Sequence, residues 1–219
     1  MTKRTYGQYC AVARGLDIIG DRWTLLIVRD LLLGPKRYKD LLSGLPGIGT
    51  NLLAARLREM EAAGLVERAT LPPPAGAAVY RLTRTGEALE TVLVAIAQWS
   101  GPFLGAPLPS DTLVPRAHLI AMRHAFRPEL AGDLTETYEL DVGDNVFEVR
   151  VAGGHCTTRE TASSDPDVVM VLDAETLNAL LMEGLPPRDA IASGRVHLTG
   201  DPGSLDRFVR LFAIRQPAP

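Results

Sequence analysis

The chain lacks the features that several protein classes require. It has only two cysteines, Cys10 and Cys156, too few and too far apart for a disulfide scaffold or a zinc finger. Its longest apolar runs, residues 92–97 and 168–172, fall far short of the ~20 residues of a membrane-spanning helix, so no membrane partner is expected. The N-terminus, MTKRTYGQYC, has neither the apolar core nor the cleavage site of a secretory signal, and a cytoplasmic location is the expectation. Lysine is scarce, three against 20 arginines. That bias weakens any single arginine as evidence of bidentate recognition. The histidines, His118, His124, His155 and His197, have no metal-ligand spacing and no nucleophile motif beside them. Asp165 and Asp167 flank a proline and read as turn and strand caps rather than an acid/base pair. No metal, cofactor or catalysis is expected.

What is present is an ordinary globular composition, 46% hydrophobic and 22% charged, which excludes wholesale disorder. A length of 219 residues suits one or two domains of roughly 150 residues. The net charge of −3 conceals an asymmetry: residues 1–110 carry 13 Lys+Arg against 9 Asp+Glu, residues 111–219 carry 10 against 17. The first half suits a polyanion and the second would repel one. Between them, SGPFLGAPLPS at residues 100–110 holds too much Gly and Pro to continue a helix. The expected division is a domain at 1–100, a linker at 101–112 and a domain at 113–219.

Apolar spacing in the first half predicts a helix through Val12, Leu16 and Ile19, a second over residues 23–33 stopped by Gly34-Pro35, and a short third over 38–43. A fourth, capped by Thr50, runs to about Ala63 and is ended by Gly64. Residues 65–71 and 78–83 then pair as a hairpin with its tip at residues 72–77, and a last helix runs from about Thr85 to Trp99. This order is that of a winged helix-turn-helix. The fourth helix buries Leu53, Leu57 and Met60 on one face and turns Asn51, Ala54, Ala55, Arg58 and Ala62 outward, the face such a module places in the DNA major groove. Thr50, Asn51, Ala54, Ala55 and Arg58 are therefore candidate contacts to a double-stranded DNA operator. Lys36, Arg37, Tyr38 and Lys39 form a basic cluster ahead of it, and Arg68 and Arg81 lie on the hairpin. Arg56 sits nearer the core flank and should snorkel to a phosphate or an acidic partner. The apolar surface of Leu89, Val92, Leu93, Ile96 and Trp99 exceeds what one wall of a small domain covers. It is assigned to a homodimer, pairing with the first helix around Tyr9 and Val12.

Cys10 with Gly20-x-Arg22-Trp23, Leu33-Gly34 and Leu57-Arg58-x-Met60-x-x-x-Gly64-Leu65-Val66 resembles the HxlR branch of winged-helix regulators, relatives of the MarR family, over Tyr9 to about Trp99. The resemblance implies a dimeric transcription factor with terminal helices at the dimer interface. It also aligns Cys10 with a cysteine that many members use to sense oxidants, quinones or aldehydes. Two departures stand out. Ala54 and Ala55 replace residues usually Ser and Gln, and Ala77 replaces a common wing arginine, which implies modest DNA affinity.

In the second half, residues 135–142 and 145–151 alternate as a strand pair around Gly143-Asp144. Residues 168–172 should lie inside the sheet, Asp173 caps a helix reaching Glu183, and residues 195–199 form another strand. Asp201-Pro202 starts a closing helix. The apolar strand, Leu177/Leu180/Leu181, Leu185-Pro186, the run from Gly194 to Asp201 and Phe208/Phe212 resemble sterol carrier protein-like domains, over roughly Ala131 to Ile214. The resemblance implies a tunnel for lipids or fatty acyl chains, and the excess of apolar residues over what a small sheet-and-helix domain needs for its own seam suggests a cavity for a hydrophobic small-molecule effector. Candidate lining residues are Tyr138, Leu140, Phe147, Val149, Leu177, Leu180, Leu181, Phe208 and Phe212, with Arg159 and His155 at the mouth. The expected fold class is α+β, a winged helix-turn-helix followed by a sterol carrier-like α+β domain with a mostly antiparallel sheet. The expected function is a homodimeric DNA-binding regulator tuned by that effector. Two alternatives stand beside it: a thiol-switched regulator acting through Cys10 with a structural second domain, and a lipid carrier that uses its helix-turn-helix for dimerisation.

Overall fold

Apolar periodicity, broken at glycine and proline, sets the element order. The computed structural model describes residues 5–214 apart from Pro74, Ala106 and Pro109; Lys3 and Arg4, the middle of the hairpin tip and part of the expected linker lie outside the described residues. The chain divides into two units, Met1–Leu93 and Val94–Pro219, and the division falls within a helix.

The first unit contains α1 (Ala11–Ile19), α2 (Thr24–Leu31), α3 (Tyr38–Gly44) and α4 (Thr50–Ala62), then strands β1 (Val66–Thr70) and β2 (Ala78–Leu82) and the short helix α5 (Arg84–Glu87). Its core is built from Ile27, Val28 and Leu31 of α2, Leu41 of α3, Leu53, Leu57 and Met60 of α4, and Leu65, Val66 and Leu82 of the hairpin. Burying each such leucine fully is worth roughly 1.5–3 kcal/mol. The antiparallel hairpin pairs Val66 with Leu82 and Thr70 with Ala78. Backbone bonds in both directions between Lys36 and Tyr80, 2.9 and 2.8 Å, tie the approach to α3 onto this hairpin.

In the first half, the start of α4 and the last helix differ from the sequence reading, and α2 ends at Leu31, short of residue 33. Thr50 is the first residue of α4, not its cap; the cap position is Gly49, with no side-chain hydrogen bond. The expected last helix is two helices, α5 and α6 (Leu89–Ser100). Thr83 caps α5: its hydroxyl accepts from Gly86 N at 3.2 Å and donates to Gly64 O at 2.6 Å. This draws α5 so close to the hairpin that a Cβ on Gly86 would lie 2.0 Å from Leu65 O.

The second unit has the end of α6, a 3-10 turn at Gly101–Phe103, α7 (Pro115–Ala125), α8 (Pro128–Ala131), and strands β3 (Glu136–Val142), β4 (Asn145–Ala152), β5 (His155–Arg159) and β6 (Val168–Leu172). There follow α9 (Ala174–Asn178), a π-helical segment Ala179–Glu183, α10 (Pro187–Ala192), β7 (Val196–Thr199) and α11 (Ser204–Phe212). The strand order is β5-β4-β3-β6-β7. Only the β3–β6 pair is parallel, so the sheet is mostly antiparallel, as expected of this α+β chain.

Asp173 caps α9 by accepting from Thr176 N at 2.6 Å. The helix expected to run on to Glu183 widens into the π-helical segment and ends at Gly184, whose φ of 77° is left-handed. Asp201 does not cap α11, which begins at Ser204 behind Gly203; its carboxylate accepts from Gly203 N and pairs with Arg207. Strand β5 was not foreseen. Strand β6 lies inside the sheet, yet Val171 is exposed, so one of its faces is open. The other face of the sheet, with Tyr138, Leu140, Phe147, Val149 and Met170, is buried.

Candidate nucleic-acid interface

Helix α4 separates its faces cleanly. Leu53, Leu57 and Met60, at i, i+4 and i+7, are buried, which aims the opposite side outward. Asn51 and Arg58 are exposed there and Ala54 and Ala55 half-buried. Neither Asn51 nor Arg58 is engaged by another described residue, so an amide and a guanidinium are free to meet base edges or phosphate. Arg56 bonds Asp21 and Glu59, the acidic-partner outcome. The hydroxyl of Tyr38 donates to Thr50 O at 2.6 Å, fastening the start of α3 to the start of α4.

The basic cluster is smaller than its sequence suggests. Lys36 is 6% exposed and its backbone is bonded into the hairpin; it is withdrawn as a phosphate contact. Arg37 and Tyr38 are half-buried, and of the four only Lys39 is exposed. On the hairpin, Arg68 donates to Glu61 at 3.0 and 3.4 Å and lies over the Tyr80 ring at 5.5 Å. These contacts raise its pKa further, the Glu61 hydrogen bond foremost. Arg81 pairs with Glu67 at 2.7 Å. Both wing cations are thus locally neutralised. Glu61 and Glu67 were missed in the sequence reading; the residues were visible, but nothing in their spacing shows that a hairpin brings them to the arginines.

Of the expected dimer residues, Leu89 and Leu93 pack against the core of the first unit. Tyr9, Val12, Val92, Ile96 and Trp99 are exposed, Trp99 at 72%, and α6 has no buried residue. Cys10 is exposed at the N-cap of α1. The nearby backbone N–H groups of Ala13 and then Val12 draw its thiol below the usual cysteine value, though no side-chain cap hydrogen bond forms there. Cys156 shows the reverse, with burial pushing its thiol up to about 12.

The nine expected cavity residues of the second unit come together, but as core. All are 2% exposed or less, with the Tyr138 and Phe208 rings 5.2 Å apart and the Phe208 and Phe212 rings 5.0 Å apart. Arg159 and His155 do not stand at a mouth of that core. They line a groove of about 290 Å³ with Glu148, Arg150, Ala152 and Thr157, on the opposite, solvent face of β4 and β5.

A family model described as HxlR-like helix-turn-helix matches residues 18–106. The HTH-type transcriptional regulator YodB of Bacillus subtilis is 38% identical over 97 residues, 44% of this chain and 84% of YodB. The chain belongs to the HxlR-like helix-turn-helix family. A solved structure of the reduced form of YodB is 34% identical and covers 48% of this chain and 100% of that one, with a TM-score of 0.40. Outside the HxlR-like segment, a model described as the alkyl sulfatase C-terminal domain matches residues 126–218, which fits the sterol carrier-like reading of that half. The sec-alkylsulfatase Pisa1 from Pseudomonas sp. is 21% identical, covering 52% of this chain and 20% of its own, with a TM-score of 0.43.

Proposed function

We propose that this HxlR-like chain is a DNA-binding transcriptional regulator that acts as a homodimer, and not an enzyme. The observation that carries the reading is α4: three buried apolar residues hold it in place while Asn51 and Arg58 stand exposed on its other side. Its relative YodB is named as an HTH-type transcriptional regulator. Exposed Tyr9, Val12, Val92, Ile96 and Trp99 supply the apolar surface for a second copy, since a monomer gains nothing by leaving it in water. Two copies read a roughly palindromic site with half-sites about one helical turn apart. Among the described residues no helix is long and apolar enough to cross a membrane. Selection from a random duplex pool tests the reading: a two-fold-symmetric site is the expected product, and a pool that never enriches counts against it.

Cys10 supports a second input. An exposed thiol held toward its thiolate by backbone N–H groups is the form that electrophiles attack. A mild quinone or peroxide should release DNA from the wild type and leave Cys10→Ser bound; equal release from both removes this input. A hydrophobic effector in the second unit faces a higher barrier, because it would have to part Tyr138, Phe208 and Phe212 from their present contacts. The lipid-carrier alternative needs the same opening.

A further inference from the structure

Strands β4 and β5 form an outward face at the edge of the second unit's sheet. With Phe147, Val149 and Val151 buried, the two-residue period of a strand turns Glu148, Arg150 and Ala152 to solvent. The register sets Glu148 opposite Arg159, Arg150 opposite Thr157, and Ala152 opposite His155. Arg150 and Arg159 are therefore diagonal neighbours, roughly 7–8 Å apart and somewhat closer at their Cβ atoms. Among the described residues neither guanidinium has a hydrogen-bond or ion-pair partner, and Glu148 is not paired with the arginine opposite it. Beside Arg150, the small side chains of Thr157 opposite it and Ala152 next along the strand help leave a groove of about 290 Å³, just under the ~300–1,000 Å³ range of small-molecule sites.

We propose that this groove binds a small organic oxyanion, a carboxylate or a phosphate monoester, seated between Arg150 and Arg159. The planar guanidinium fork matches both headgroups with paired N–H donors. Thr157 adds a hydroxyl and His155 an imidazole on the same wall. Glu148 accepts from a hydroxyl or amine elsewhere on the ligand, which favours a molecule carrying a donor as well as an anion. A polyanion such as DNA is disfavoured, because residues 111–219 carry 17 acidic against 10 basic side chains and repel an extended negative charge. The site lies wholly in the second unit and stands or falls independently of the DNA-binding reading.

The test is calorimetric titration of the full chain at low ionic strength with benzoate and with phenyl phosphate. At least one probe should bind saturably, one per chain, more tightly than about 1 mM. Arg150→Gln and Arg159→Gln should each weaken binding at least about tenfold, the loss expected for a charge-assisted hydrogen bond, with the thermal unfolding profile unchanged because both residues are exposed. Arg150→Lys should recover part of the loss, and Glu148→Gln should keep binding. Binding of benzoate alone assigns a carboxylate ligand, of phenyl phosphate alone a phosphate, of both the shared oxyanion. Failure of both probes, or binding that survives either arginine substitution, overturns the proposal.

Discussion

Glu136 offers the sharpest test of how the second unit is held. Its buried carboxylate accepts from Arg207 Nη2 at 2.6 Å and Nε at 3.3 Å, from Ser204 Oγ at 2.9 Å, and from the Tyr138 hydroxyl, joining β3 to α11. Glu136→Ala strands these donors unequally. The Tyr138 hydroxyl, on a side chain with no exposure, loses its hydrogen-bond acceptor at a cost of about 1–3 kcal/mol. Ser204 Oγ still accepts from Arg207 Nη2 at 2.8 Å, but its buried hydroxyl proton loses its acceptor as well. Arg207, whose side chain is 28% exposed, keeps Asp201 at 2.7 Å, so its charge is partly repaid by water and a carboxylate. Breaking a fully buried pair costs ~3–5 kcal/mol; with this relief the variant should lose about 3 kcal/mol at neutral pH. The loss also has a pH signature. Burial alone pushes the Glu136 carboxyl up, but hydrogen bonds from Arg207, Tyr138 and Ser204 outweigh it and hold the carboxyl below its usual range. A depressed folded-state pKa gives stability that is present above the unfolded-state value and lost as pH falls through the folded one. The gap between wild type and Glu136→Ala should therefore be full at about pH 7 and shrink toward about pH 3. Hydrogen exchange of β3 and α11 amides reads this unit alone. A loss under about 1 kcal/mol, or a gap unchanged in acid, refutes the argument.

Three further outcomes follow from the first unit. Gly86→Ala should destabilise it by about 1–3 kcal/mol or more, because the added Cβ meets the Leu65 carbonyl at 2.0 Å; a thermal melt within a degree or so of wild type contradicts that approach. Leu57→Ala, at a site with no exposure, should cost about 2–5 kcal/mol in urea denaturation, and a smaller loss means the core is looser than drawn. Glu61→Gln should free Arg68 for phosphate, tightening DNA binding and steepening its salt dependence by about one ion; unchanged binding and slope place Arg68 off the DNA.

The helical half was legible because its signals are local. Gly34-Pro35 and Gly64 mark real helix ends, and the spacing of Leu53, Leu57 and Met60 gave the buried face of α4 without any knowledge of the rest. The break at Ala88 was not legible, since it follows from Thr83 and Gly86 docking on a hairpin far back in the chain. Strand β5 has an available signal, the Gly153-Gly154 turn after β4, both glycines having positive φ, but its polar HCTTR sequence looks like a loop. The site divides in the same way. Helical geometry alone places Asn51 and Arg58 outward, whereas the burial of Lys36 and the neutralisation of Arg68 and Arg81 depend on contacts no spacing encodes. The apolar residues of the second unit were identified as one group, and sequence cannot tell a filled core from a hollow one.

The central claim is that α4 reads DNA through its exposed side chains. Fluorescence anisotropy with duplex fragments from upstream of the chain's own coding region, each against a scrambled control and over a range of salt, measures this directly. The account predicts one preferred fragment, an affinity falling steeply with salt, and a loss of about 5- to 150-fold on that fragment for Arg58→Ala, corresponding to ~1–3 kcal/mol, with little change on the control. Equal affinity for every fragment, or an Arg58→Ala variant that binds the preferred fragment like wild type, would contradict it.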